Sequence, residues 1–183
     1  MTIGNLDAQP AAQRPDLLAP SVTAALAAWN GRTPPGDIVV AEIDPQLADT
    51  TAFCERYAVR LDRSANCVIL AARRDGRAWY AACVVLATTR ADVNGLAKKH
   101  LGASKISFAA MDAATEASAM EFGGITPIGL PSDWPILVDE AVVAAARVVI
   151  GSGLRRSKIG VPGAALAELP NAVVLPGLGR ATR

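Results

Sequence analysis

Residues 67–87 read CVILAARRDGRAWYAACVVLA: two apolar runs, 67–72 and 78–87, on either side of Arg73-Arg74-Asp75-Gly76-Arg77. Asp-Gly is a favoured pair for a two-residue hairpin turn, because both central positions of that turn need positive φ. The stretch predicts a long antiparallel hairpin in the middle of the chain. A hairpin there breaks any strict rhythm of parallel strands and crossover helices, so the expected class is α+β with a mixed sheet.

Working upstream, residues 38–43 form a β-branched run ending at Asp44-Pro45, and Asp49 offers a cap for a short helix carrying Phe53, Cys54 and Tyr57. Before them, Ser21 is the expected cap of a helix whose stripe is Val22, Ala25, Leu26 and Trp29, stopped by Asn30-Gly31 and Pro34-Pro35-Gly36. Residues 1–20 carry Pro10, Pro15 and Pro20 with little periodicity and predict an extended arm laid on the domain or a disordered lead. Downstream of the hairpin, Thr88 or Thr89 caps a predicted helix with Val93, Leu96, Ala97 and Leu101 on one face and Lys98, Lys99 and His100 off it. Residues 105–108 predict a strand, and Asp112 caps an alanine-rich helix running through Met120. Three short buried-type strands follow at 135–138, 147–150 and 158–161, and Pro162 suits the first turn of a last helix. The organisation expected is an N-terminal arm and helix over 1–35 and one domain over 36–183.

The chain has 183 residues, a net charge of +1 and 51% hydrophobic residues, which suits one compact domain with no global field to attract nucleic acid. The first thirty residues lack a cationic start followed by an apolar core, and no apolar run has spanning length. Three cysteines, at 54, 67 and 83, show neither a disulfide framework nor CxxC spacing, so reduced thiols in a cytoplasmic protein are expected. One histidine, His100, and scattered cysteines offer no closed zinc site, and neither a P-loop nor a GxGxxG motif occurs, so no cofactor is expected. His100 reads as a solvated imidazole. Cys67 and Cys83 read as core thiols, with nothing cationic beside them in sequence.

The segment Gly123-Gly124-Ile125-Thr126-Pro127-Ile128-Gly129-Leu130-Pro131 cannot be helix, since five of its nine residues are Gly or Pro. Such a loop can expose several amides at once and hold a carbonyl, carboxylate or phosphate without an ionised side chain. It also reads as a tight connection with unusual dihedrals. Arg155, Arg156 and Lys158, after Gly151-Ser152-Gly153, form either a phosphate-facing edge or a solvated turn. Asp139, ending a buried strand, serves either as a general base or as a brace for the loop.

The order of these segments resembles the YbaK/EbsC family, which is similar to the editing domain inserted in bacterial prolyl-tRNA synthetases. The resemblance rests on Cys67-Val68-Ile69-Leu70, on 81–87, on 92–105, on the 123–131 loop and on Pro135-Ile136-Leu137-Val138-Asp139-Glu140, and runs from about Val39 to Val174. It implies a largely antiparallel, barrel-like sheet with surrounding helices. The implied activity is that of a free-standing, metal-independent deacylase, acting on mischarged aminoacyl-tRNA, with alanyl- or cysteinyl-tRNA of the proline set expected. The implied partners are aminoacyl-tRNA and an aminoacyl-tRNA synthetase, with no membrane, for a monomer or homodimer. In the family a GxxxP loop, here Gly123 to Pro127, bounds the aminoacyl group and helps place the water. Ile125, Thr126, Pro127, Ile128 and Gly129 then bind substrate with a second edge at Gly151 and Ser152; Arg155, Arg156 and Lys158 contact tRNA; and Asn66, Gly123, Gly124 and Asp139 are the candidate catalytic positions. The family lysine at the start of the central strand is replaced here by Asn66, in Asn66-Cys67-Val68-Ile69. That substitution gives the alternative reading: a non-catalytic binder of an amino acid, nucleotide or tRNA end on the same fold.

Overall fold

The computed structural model describes residues 2–181. Its strands are β1 (Thr2–Ile3), β2 (Leu6–Asp7), β3 (Gln9–Pro10), β4 (Val39–Glu42), β5 (Ala65–Arg74), β6 (Arg77–Leu86), β7 (Thr89–Ala91), β8 (Lys105–Phe108), β9 (Ile136–Asp139), β10 (Val148–Gly151), β11 (Ser157–Val161), β12 (Ala172–Leu175) and β13 (Gly179–Ala181). The helices are α1 (Pro20–Ala27), α2 (Thr50–Arg56), α3 (Lys98–His100), α4 (Met111–Ser118) and α5 (Glu140–Ala144).

The central hairpin is present in full register, from Ala65 opposite Leu86 to Arg74 opposite Arg77. Its turn places Asp75 at φ 49° and Gly76 at φ 80°, the two positive angles that the Asp-Gly pair supplies. Around it grows a mixed five-stranded sheet in the order β12-β9-β6-β5-β8, parallel at β12–β9 and β9–β6 and antiparallel elsewhere. A second, antiparallel sheet runs β10-β11-β4-β3. The class is α+β and largely antiparallel, as expected, but the sheets stay open rather than closing into a barrel. Between them lies one isolated bridge, Ser64 to Val149, where the start of β5 meets β10. The main core fills the space between the sheets and under α1, with Leu18, Val22, Val40, Ile69, Val138 and Ile159 all buried in it, and smaller clusters lie around Phe53 and around Leu70.

The N-terminal segment packs on this frame: β3 pairs with β4, and Leu17, Leu18 and Ala19 are buried. Several helix starts differ from expectation. α1 begins at Pro20, whose fixed φ suits the first helical turn, so Ala19 rather than Ser21 is its cap. Thr89 lies in β7, paired with β13, and the following helical turn is capped by Asp92, whose carboxylate accepts from the Leu96 amide. That turn is a π-helical segment, Val93–Ala97, continuing into α3. Asp112 is inside the first turn of α4, where a carboxylate suits the helix dipole, and the cap is Ala110. Asp49 does cap α2, accepting from the Thr51 amide at 3.0 Å. Pro162 precedes a 3-10 turn, Gly163–Glu168, instead of an α-helix, and β12 and β13 lie beyond it.

Candidate functional site

A cleft of about 410 Å³ opens where the two sheets meet, beside the Ser64–Val149 bridge. Its walls come from the N-terminus of α2 (Asp49, Thr50), the start of β5 (Asn66, Cys67), the loop before Pro127 and the facing strands β10 and β11. Its size falls in the range of small-molecule sites.

Lys158 supplies its cation. β11 sets Lys158 opposite Gly151 on β10 and opposite Ala41 on β4, in the middle of a sheet, and the side chain is 8% exposed. Nζ donates to the Ala48 carbonyl at 2.9 Å and more weakly to that of Gly123 at 3.4 Å, and it stands 5.5 Å from the centre of the Phe53 ring. An ammonium carries three donors, so one remains for a ligand in the cleft. Burial, reinforced by nearby Arg155, lowers its pKa from 10.5 to about 8. It is therefore mostly charged at neutral pH. In sequence this lysine belongs either to a phosphate-facing edge or to a solvated turn; the pairing of β11 between two strands carries it inside the cleft.

The glycine-rich loop is held backbone to backbone. Gly124 donates to Glu121 and accepts from the Gly153 amide at 2.8 Å, while Glu121 donates to Gly153 at 2.9 Å. Gly151 allows the contact: a Cβ there would lie 2.2 Å from the Gly124 oxygen and 2.6 Å from that of Ile125. Arg155 braces the outer side, its amide donating to Glu121 at 2.6 Å and its guanidinium to the Phe122 carbonyl, over the Phe122 ring. Phe122, Gly123 and Ile125 line the cleft, and among the described residues the N–H groups of Gly123 and Ile125 meet no protein acceptor. Two free amides beside one ammonium are what a developing oxyanion needs.

On the opposite wall, Thr50 donates its hydroxyl to Asn66 Oδ1 at 2.7 Å, which fixes the amide and leaves the two Nδ2 hydrogens without a protein acceptor. Cys67 beside it is no nucleophile, because burial pushes its thiol far up and keeps it protonated.

The remaining expected site residues lie elsewhere. Thr126 is fully buried with an unpartnered hydroxyl, and Pro127, Ile128 and Gly129 turn away to a separate small cavity beside Trp29 of α1. Ser152 is fully buried, its hydroxyl bonded to Ser157 Oγ at 2.7 Å and to backbone carbonyls, so it ties the β10–β11 connection together. Arg156 is exposed and donates to the Asp16 carbonyl. Asp139 is buried at the end of β9 against Gly179, outside the cleft lining. Thr50, Phe53 and Phe122 escaped sequence reasoning; only the two-residue spacing of Thr50 and Ala48 around the Asp49 cap hinted that this turn could face a site.

A model of the aminoacyl-tRNA editing domain matches residues 44–169, which span α2, the cleft strands and the glycine-rich loop. Among solved structures, a candidate trans-editing enzyme for prolyl tRNA synthetase superposes with a TM-score of 0.72 at 19% identity, covering 90% of this chain and 99% of that one. A scaffold protein from computational epitope grafting superposes with a TM-score of 0.72 at 19% identity, covering 89% of this chain and 97% of the other. No curated protein sequence matches the chain. Among the described residues no helix is long and apolar enough to cross a membrane.

Proposed function

The chain belongs to the aminoacyl-tRNA editing domain family, and on that premise we propose that it is a free-standing deacylase that hydrolyses the ester of mischarged aminoacyl-tRNA in the cytoplasm. The observation that carries this reading is Lys158: a buried ammonium, arriving from β11, occupies the cleft where Asn66, the second residue of β5, stands in place of the family's lysine. The cation that the motif lacks is supplied from another strand.

In the proposed reaction the aminoacyl ester enters between the loop and β5, with its carbonyl oxygen toward the free amides of Gly123 and Ile125 and the Lys158 ammonium. Water adds to the carbonyl carbon, the oxyanion that forms is held by these donors, and the bond to the ribose oxygen then breaks. The proton given up by water passes to the departing ribose oxygen through the neighbouring hydroxyl of the same ribose. No protein carboxylate is needed: Asp49, which lines the cleft, is engaged in capping α2. The exposed face of Phe122 at the mouth offers a stacking surface for the terminal base. Ala48, Ala65 and Val149 narrow the interior, which favours a small side chain such as that of alanine or cysteine.

The test is release of labelled amino acid from alanyl-, cysteinyl- and prolyl-tRNA by the purified protein. Turnover on the mischarged species and not on the cognate one is expected. Tight binding of all three with no release would support the non-catalytic alternative. Within this reading Asn66 orients the ester, so Asn66→Ala is expected to lower kcat/KM about tenfold, the size of one lost hydrogen bond to substrate, with the melting temperature unchanged.

A further inference from the structure

At the far end of the central hairpin the fold gathers cations that the cleft does not use. β5 ends in Arg74, directly opposite Arg77 where β6 begins, and on the other face of the sheet β5 and β8 set Arg73 directly opposite Lys105. Like charges facing across a ladder destabilise a sheet. Lys98 and Lys99 of α3 stand beside them, since Arg74 lines both a groove with Arg77, Trp79 and His100 and a second groove with Lys98 and Lys99. Four of these six, Arg74, Arg77, Lys98 and Lys99, line the two grooves, against two carboxylates, Asp75 and Asp133. Asp75 pairs with Arg74; among the described residues the other five cations form no ion pair. A chain of net charge +1 thus carries a local excess of cations at this end, the distribution that steers a polyanion to one place.

We infer that this surface, built on Arg74, Arg77, Lys98 and Lys99, docks the phosphate backbone of an RNA stem whose aminoacylated end occupies the cleft. The inference rests on the aminoacyl-tRNA reading of that cleft. β5 links the two places: Asn66 in the cleft and Arg74 at the surface are eight residues apart on one strand, roughly 26 Å at 3.3 Å per residue. A substrate with only its terminal nucleotide in the cleft therefore has a rigid second support for its stem. Arg155 and Arg156, committed to Phe122 and Asp16, are less available for that task.

The test compares the wild type with a triple variant, Arg74→Ala, Arg77→Ala and Lys99→Ala, all exposed positions, and with a control of three other exposed cations, Arg32→Ala, Arg60→Ala and Arg63→Ala. The probe is an uncharged acceptor-stem RNA hairpin titrated at several salt concentrations. The surface variant is expected to bind at least tenfold more weakly, with the slope of log affinity against log salt shallower by about 2 to 3, and the control to stay near wild type. In deacylation the surface variant is expected to show a raised KM and an unchanged kcat. Equal losses in both triple variants, no RNA binding by the wild type, or competition by polyglutamate but not by RNA would overturn the inference, the last pointing to an acidic protein partner. RNA binding through this surface without hydrolysis of any aminoacyl-tRNA would refute the deacylase reading alone. Hydrolysis with wild-type KM in the surface variant would refute only the docking surface.

Discussion

Replacing Lys158 with methionine is expected to lower kcat/KM for ester release at least 100-fold, a loss of about 2.7 kcal/mol of transition-state stabilisation, while leaving the melting temperature at pH 7 unchanged or higher. The two halves of this result come from one fact. Burial lowers the lysine pKa from 10.5 to about 8, so keeping the ammonium charged inside the protein at neutral pH costs roughly 3 kcal/mol. Methionine fills the same space without that cost, which offsets the two carbonyl hydrogen bonds that are lost. A residue kept for the fold would show the opposite balance, with melting falling alongside activity. The pH dependence has a definite sign. Between about pH 8 and 10.5 the unfolded chain holds the Lys158 proton and the folded chain does not, so this residue's contribution to stability rises with pH across that window and is least favourable below it. Turnover needs the ammonium and should therefore fall as pH rises through about 8, where stability is improving. A pH profile of kcat/KM set beside thermal melts separates the two, and a rate that stays flat to pH 9.5 in the wild type would remove Lys158 from the chemistry.

The second large effect is expected from a single methyl group. Gly151→Ala places a Cβ 2.2 Å from the Gly124 oxygen and 2.6 Å from the Ile125 oxygen, both backbone atoms that cannot swing aside as a side chain would. The loop must move by about an ångström, which shifts the free amides of Gly123 and Ile125 away from the carbonyl they would hold. A displacement of that size costs on the order of 100-fold in rate. The overpacking itself costs about 1 to 3 kcal/mol, so melting should fall as well, in contrast to the lysine variant. Gly36→Ala is the matched control, since nothing lies within 4 Å of the added methyl there, and it should change neither rate nor melting temperature. Measuring kcat/KM and melting for the pair checks the argument. Full activity in Gly151→Ala would mean that the loop amides take no part.

The class of the fold was legible wherever the information is local. Asp75-Gly76 carries its own turn geometry, and Asp49 its own cap, so both could be read from neighbours in sequence. The helices expected to start at Ser21, Thr89 and Asp112 start elsewhere: α1 and α4 have Ala19 and Ala110 at their caps with no side-chain cap bond, Pro20 fixing the first turn of α1, and Thr89 is taken up by its pairing with Ala181, leaving the cap to Asp92. β12 and β13 were missed because each is held mainly by hydrogen bonds to a partner far away in the chain.

The site divides in the same way. That the 123–131 segment is an irregular, amide-rich loop, and that Asn66 leaves the start of the central strand without a charge, follows from the residues alone. That Gly151 admits this loop, that Lys158 is the cation in the cleft, and that Asp139 and Ser152 are not at its wall depends on how the strands pack. The physical reason is that burial and electrostatics depend on which strands pair. Lys158 opens a predicted buried-type strand just after two arginines, so its place is open in sequence until β11 is set between β10 and β4, where the side chain loses its water and faces the cleft.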